Sequence, residues 1–212
     1  MNQMLPHPTD STSTTAWRLW IDRCGGFGLV VDGAVSLGGA RPSGGATVQV
    51  RSDWRRLEGR LTRRSGDYFW SSQSDDGQFS ADEQLVRSGS ELPVVGSATV
   101  RLHQPSPLSG SAVLALDPPH RFDCHVDQVL LVDQTVLIGP DPGNHIRCVG
   151  LDANAVLIFR DGIWKAKQKR TSNENRLGRT GRGTAAASPA FTELIPGKRI
   201  SVGELDMVLE QA

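Results

Sequence analysis

A cassette written twice constrains this chain more than any other feature. Leu29-Val30-Val31-Asp32 leads to Val35-Ser36-Leu37-Gly38, then to a Gly-rich turn, then to Val48-Gln49-Val50. In the second half Leu130-Leu131-Val132-Asp133 leads to Val136-Leu137-Ile138-Gly139, then to Pro140-Asp141-Pro142-Gly143, then to Ile146-Arg147-Cys148. Arg64-Ser65-Gly66-Asp67-Tyr68 is echoed by Arg160-Asp161-Gly162-Ile163-Trp164. Gly89, Leu92 and Ala98-x-Val100-x-Leu102 are answered by Gly197, Ile200 and Leu205-x-Met207-x-Leu209. Two divergent copies of one unit of roughly 100 residues, a common domain size, account for the 212-residue chain.

Inside each copy the apolar residues recur at every second position, in short runs bounded by Gly, Asp, Ser and Pro. That is the strand period, and helical periodicity is nearly absent. Asp32-Gly33, Gly66-Asp67, Asp76-Gly77 and Asp161-Gly162 fall between such runs and read as hairpin turns. Tyr68-Phe69-Trp70 is an aromatic strand that supplies core bulk. Many short strands at regular spacing predict a β-sandwich or barrel in each half. Pro105-Ser106-Pro107-Leu108 marks the seam, and Leu114 to Phe122 reads as a strand and a connection. The expected organisation is a disordered tail over 1–16, a first domain over 17–118 and a second over 119–212. Ser71 to Glu83 is a polar loop, and the second domain carries a mobile basic loop over 165–189.

Charge narrows the function classes. Lys plus Arg equals Asp plus Glu at 23 each, so a bulk electrostatic grip on nucleic acid or an anionic membrane is disfavoured. No apolar stretch approaches the length of a membrane-spanning helix, and Met1 to Thr15 lacks the basic start and apolar centre of a signal peptide. Three cysteines, Cys24, Cys124 and Cys148, are too few and odd in number for a disulfide framework. Reduced thiols in a cytoplasm are the expectation.

From Val35-Ser36-Leu37-Gly38 through Gly66-Asp67-Tyr68 the sequence resembles the forkhead-associated (FHA) family, and Arg101-Leu102 resembles its closing strand. The resemblance covers most of 17–104 and, more faintly, 128–210. It implies an all-β fold of two tandem FHA-like antiparallel β-sandwich domains whose apical loops recognise phosphothreonine peptides. Val48-Gln49-Val50 followed by Ser52-Asp53-Trp54-Arg55-Arg56-Leu57-Glu58-Gly59-Arg60-Leu61 is similar to the family's central motif. The departures are specific. Gly39 stands where the family has Arg after Gly38, with Arg41 displaced two residues further. Arg55 stands at the phosphate-binding Ser, and Glu58 at the structural His. No Asn-Gly follows Trp70. The second copy has Pro140 in place of that Arg and Ala153-Asn154-Ala155-Val156 in place of the Ser motif, so it reads as an inert structural version.

The phosphopeptide-binding candidates are therefore Gly38, Arg41, Arg55 and Arg56, with Arg51 nearby. Guanidinium groups pair with phosphate through two parallel charge-assisted hydrogen bonds, and Gly-rich turns expose backbone N–H donors. The Gly38–Gly45 loop is not a nucleotide-phosphate cradle, because Gly45-Ala46 replaces the Lys-Ser/Thr and no helix follows. Cys124-His125 with His145-x-x-Cys148 has donors of the right type for zinc but not a familiar spacing, and Cys148 reads more simply as a small buried residue; no metal and no cofactor are expected. His103, His120, His125 and His145 are scattered, without a nucleophile elbow or paired carboxylates, and read as surface or turn residues in a non-enzyme. The leading expectation is a protein–protein interaction module in intracellular signalling, reading phosphothreonine through the first copy. Its main rival is a phosphate-independent scaffold with degenerate sites. A nucleic-acid contact through the basic loop is a third class, weakened by the absence of interleaved aromatics.

Overall fold

The computed structural model describes residues 16–42, 45–168 and 190–212, and all its regular structure is β. The tail over 1–15 and most of the basic loop, 169–189, lie outside the described residues. The strands of the first half are β1 (Ala16–Ile21), β2 (Gly25–Val30), β3 (Ala34–Gly39), β4 (Val48–Arg51), β5 (Gly59–Arg64), β6 (Asp67–Ser72), β7 (Gln84–Val86) and β8 (Val100–His103). Those of the second are β9 (Ala112–Leu116), β10 (Arg121–Phe122), β11 (Gln128–Leu131), β12 (Thr135–Gly139), β13 (Ile146–Arg147), β14 (Ala155–Arg160), β15 (Ile163–Gln168), β16 (Thr192–Glu193), β17 (Arg199–Val202) and β18 (Leu205–Gln211).

They form three sheets. A seven-stranded sheet in the order β17-β18-β1-β2-β11-β9-β8 lies between a six-stranded sheet, β10-β4-β3-β5-β6-β7, and a five-stranded sheet, β13-β12-β14-β15-β16. The sheets are mixed, not wholly antiparallel: β2 with β11, β3 with β4 and β12 with β13 pair in parallel. At the centre of the shared sheet Leu29 faces Leu130 and Val30 faces Leu131, so the equivalent residues of the two cassettes stand side by side. A half-turn about an axis running between these two strands relates the two halves. It carries β1 to β9 and β18 to β8, and it exchanges the faces of the sheet.

The two cores follow from strand parity. Trp17, Leu19, Ile21, Phe27 and Leu29 of the first hairpin point to one face and pack with Val136, Ile138, Leu157, Trp164, Met207 and Leu209. Val35, Leu37, Leu61, Tyr68, Trp70 and Val100 pack instead with Ala112, Leu114, Val129 and Leu131 on the opposite face. The hairpin that opens the chain thus completes the C-terminal sandwich, and β9 with β11 completes the N-terminal one. One sandwich is contiguous over 34–131; the other is split into 16–30 and 135–212. The expected division at 118/119 does not describe this arrangement. The repeat itself turns over at 104–111, the Pro-containing seam, because β9 is the counterpart of β1. Asp32-Gly33 is accordingly no hairpin turn but the crossing from the shared sheet into the six-stranded one. Ser65-Gly66 (φ 53° and 89°) and Asp161-Gly162 (φ 53° and 77°) are the tight hairpin turns that positive φ at both central residues requires.

Two further expectations are corrected. Cys24 and Cys148 form a disulfide, with Cα atoms 5.2 Å apart, between residues 124 positions apart in sequence. The exchange of hairpins brings them together: Cys24 sits in the β1–β2 turn and Cys148 follows β13. Cys124 alone keeps a thiol, and the argument for a cytoplasm from reduced thiols loses its premise. His145 is buried at 3% exposure, not superficial. Its Nδ1 accepts the Leu137 N–H at 3.0 Å, the role that Ser36 Oγ plays for Thr47 N–H in the first copy with the partners reversed.

Candidate functional site

Three loops meet at one end of the contiguous sandwich: the turn after β3, the 52–58 segment between β4 and β5, and the 73–79 segment after β6. The middle loop is pinned from below by Trp54, 1% exposed in the core. Asp53 holds its flank by accepting from Ser97 N–H at 2.8 Å and Ser97 Oγ at 2.7 Å, bonds that hold its carboxyl below the usual range.

Gly38 and Gly39 serve close approach. A Cβ on Gly38 would collide with the Arg56 carbonyl group, its carbon 2.7 Å away, and one on Gly39 with that of Trp54, its carbon 3.1 Å away. Two backbone donors of this turn are already taken: Gly39 N–H donates to Arg55 O at 2.7 Å and Ala40 N–H to Val50 O at 2.9 Å. Arg41 is equally committed, its guanidinium donating to Ala40 O at 2.8 Å and Trp54 O at 3.0 Å. The two loops are stitched together by these bonds.

Arg55 is occupied by carboxylates. Its N–H donates to Glu58 Oε1 at 2.5 Å, and its Nε and Nη2 both reach Glu58 Oε2 at 3.2 Å. Nη1 adds Asp75 at 3.4 Å. Glu58 is 5% exposed, so its charge is compensated largely by Arg55, and pulling Arg55 away would leave a buried carboxylate unpaired. Arg56 differs. It is exposed and forms no ion pair or hydrogen bond with the described residues. It lines an open cleft of about 470 Å³ with Gly45, Arg55, Leu57, Gln73, Ser74, Asp75 and Gly77. Of the far wall of this cleft, Gln73 and the Ser74–Gln78 turn, the sequence signals only a polar loop with a turn at Asp76-Gly77. Of the four candidates, Arg41, Arg55 and Arg56 converge on one end of the sandwich with Gly38 beneath them. Arg51 points elsewhere, pairing with Asp123 at 2.8 Å.

The equivalent corner of the second copy is closed. Asn144 Nδ2 donates to Asn154 Oδ1 at 3.0 Å and to Asp141 O at 3.2 Å, and Asn154 Nδ2 donates to Asp141 Oδ2 at 3.2 Å. This amide cluster fills the space over Gly139, and it contains no cation. Neither a metal-ligand group nor a nucleophile–base relay is assembled from the residues considered for them, among the described residues. No three His, Cys, Asp or Glu side chains are grouped to hold a metal, and Cys148 is consumed by Cys24. Ser97 lies 3.1 Å from His120 Nε2, but Asp53 binds Ser97 rather than orienting the imidazole, the reverse of a nucleophile–base relay. Comparison with protein-family models, curated proteins and solved structures returned no match to this chain.

Proposed function

We propose that the chain is a non-enzymatic protein-binding scaffold, built from two FHA-like sandwiches, whose first-copy apical cleft takes a protein segment without requiring phosphate. The observation that carries this reading is the neutralisation of Arg55 by Glu58 and Asp75. A phosphothreonine brings close to two negative charges and needs a surplus of cation and several free donors. Arg41 and the Gly39 and Ala40 amides are committed to loop carbonyls, and Asp75 stands on the cleft wall beside Arg56. The cleft balances its charges and suits a polar, uncharged or mixed-charge peptide. An intracellular signalling setting belongs to the same proposal and rests on the family resemblance.

The second reading, phosphothreonine recognition, is favoured by one observation: Arg56 lines the cleft with no ion pair among the described residues. Retention of a degenerate phosphothreonine peptide library and of its unphosphorylated twin on the 212-residue chain separates the two. The scaffold reading expects equal retention of both. Phosphate-selective capture at micromolar affinity, lost in Arg56→Ala, would replace it with the second reading.

A further inference from the structure

We propose that the Cys24–Cys148 disulfide is a reducible latch that fastens the opening hairpin onto the C-terminal half and so controls the split sandwich alone. The hairpin supplies Trp17, Leu19, Ile21, Phe27 and Leu29 to a core whose other residues lie beyond position 112. Its attachments to that half include the β1–β18 ladder, from Trp17↔Gln211 to Ile21↔Met207, the parallel β2–β11 ladder, Trp20 Nε1 donating to Glu210 Oε2 at 2.9 Å, the Asp22–Arg199 ion pair, the Asp22 N–H bond to Asp206 O and the disulfide. Only the last is covalent. The contiguous sandwich over 34–131 needs no such closure, because all its strands are joined through the chain. The span it closes, 124 positions, contains the whole contiguous sandwich; with that sandwich folded, the cross-link closes only the connections at its two ends, and the restriction it adds then falls on the split core.

Access favours one direction of opening. Cys24 is partly exposed at the hairpin tip and Cys148 is 1% exposed. A thiolate of a dithiol reductant attacks Cys24 Sγ, and Cys148 leaves as a thiolate that takes up a proton. The reductant's second thiol then displaces Cys24 from the mixed disulfide. Two electrons and two protons pass to the protein, and the dithiol becomes a disulfide.

The test is amide hydrogen exchange of the full chain with and without dithiothreitol, with thiols titrated in parallel. Cys24→Ser/Cys148→Ser and Cys124→Ser variants accompany the wild type. Reduction is expected to speed exchange by about tenfold or more in β1, β12, β14 and β18, leaving β5, β6 and β8 unchanged. Complete loss of protection confined to the split sandwich is the extreme of the same result. The double variant should match reduced wild type under both conditions, and Cys124→Ser should behave as wild type. Three free thiols in the untreated native chain would overturn the proposal. So would unchanged exchange once titration shows the bond open, or an equal rise in both sandwiches.

Discussion

Leu19 and Leu114 offer a direct trial of the exchanged architecture, because each is fully buried in a core formed mainly by the other half of the chain. Leu→Ala removes three carbons. At about 0.8 kcal/mol per buried methylene the lost transfer free energy is about 2.4 kcal/mol, and the residual cavity raises the total to roughly 3–4 kcal/mol. The location of the loss is more telling than its size. In Leu19→Ala, amide protection should fall in β12, β14 and β18 while β5 and β6, nearer in sequence, keep theirs. In Leu114→Ala, β3, β5 and β6 should weaken and β14 should hold. Residue-resolved hydrogen exchange under native conditions reads both. If Leu19→Ala instead weakened β5 and β6 and spared β14, the hairpin would belong to its own half, and the strand exchange would be refuted.

Three further outcomes follow from local geometry. Gly38→Ala should cost about 1–3 kcal/mol in urea unfolding of the contiguous sandwich, because its methyl group meets the Arg56 backbone, which cannot swing aside as a side chain can; a neutral result would mean the 52–58 loop is not held as described. Burial, more than the nearby His103, holds His145 below its ordinary value of 6.5, and accepting from Leu137 N–H requires Nδ1 to stay unprotonated. The unfolded chain therefore takes up this proton first, so stability present above pH 6.5 should decline as pH falls through 6.5 toward the lower folded value, and His145→Gln should flatten that part of the curve. Cys124, its thiol pushed up in pKa by burial, should be the single free thiol of the native oxidised chain and react slowly with a disulfide reagent near neutral pH, rising to three fast thiols after reduction and unfolding.

Much of the candidate site was legible in residue order. Arg55 and Glu58 are three residues apart, and the structure turns that spacing into one ion pair that removes Arg55 from service. Sequence could place both residues on one loop, but it could not show that Glu58 is buried and Arg55 held against it. Nor could it bring Asp75 to the same cleft, because a loop's path is fixed by what it packs on.

The sequence by itself determined that the chain is all-β, that it holds two related cassettes, and that tight turns lie at Gly66 and at Asp161-Gly162. Those properties follow from period-two alternation and from residues that tolerate positive φ, both local. It also held a muted sign of the shared sheet: Leu29-Val30-Val31 and Leu130-Leu131-Val132 are unbroken apolar runs, as strands buried on both faces require. Only the tertiary structure decided which hairpin closes which core. Both cores accept the same kinds of apolar side chain, so hydrophobic burial does not distinguish a hairpin kept from one exchanged. The choice lies in strand pairing across more than a hundred residues, and with it came the meeting of Cys24 and Cys148 that no spacing rule could anticipate.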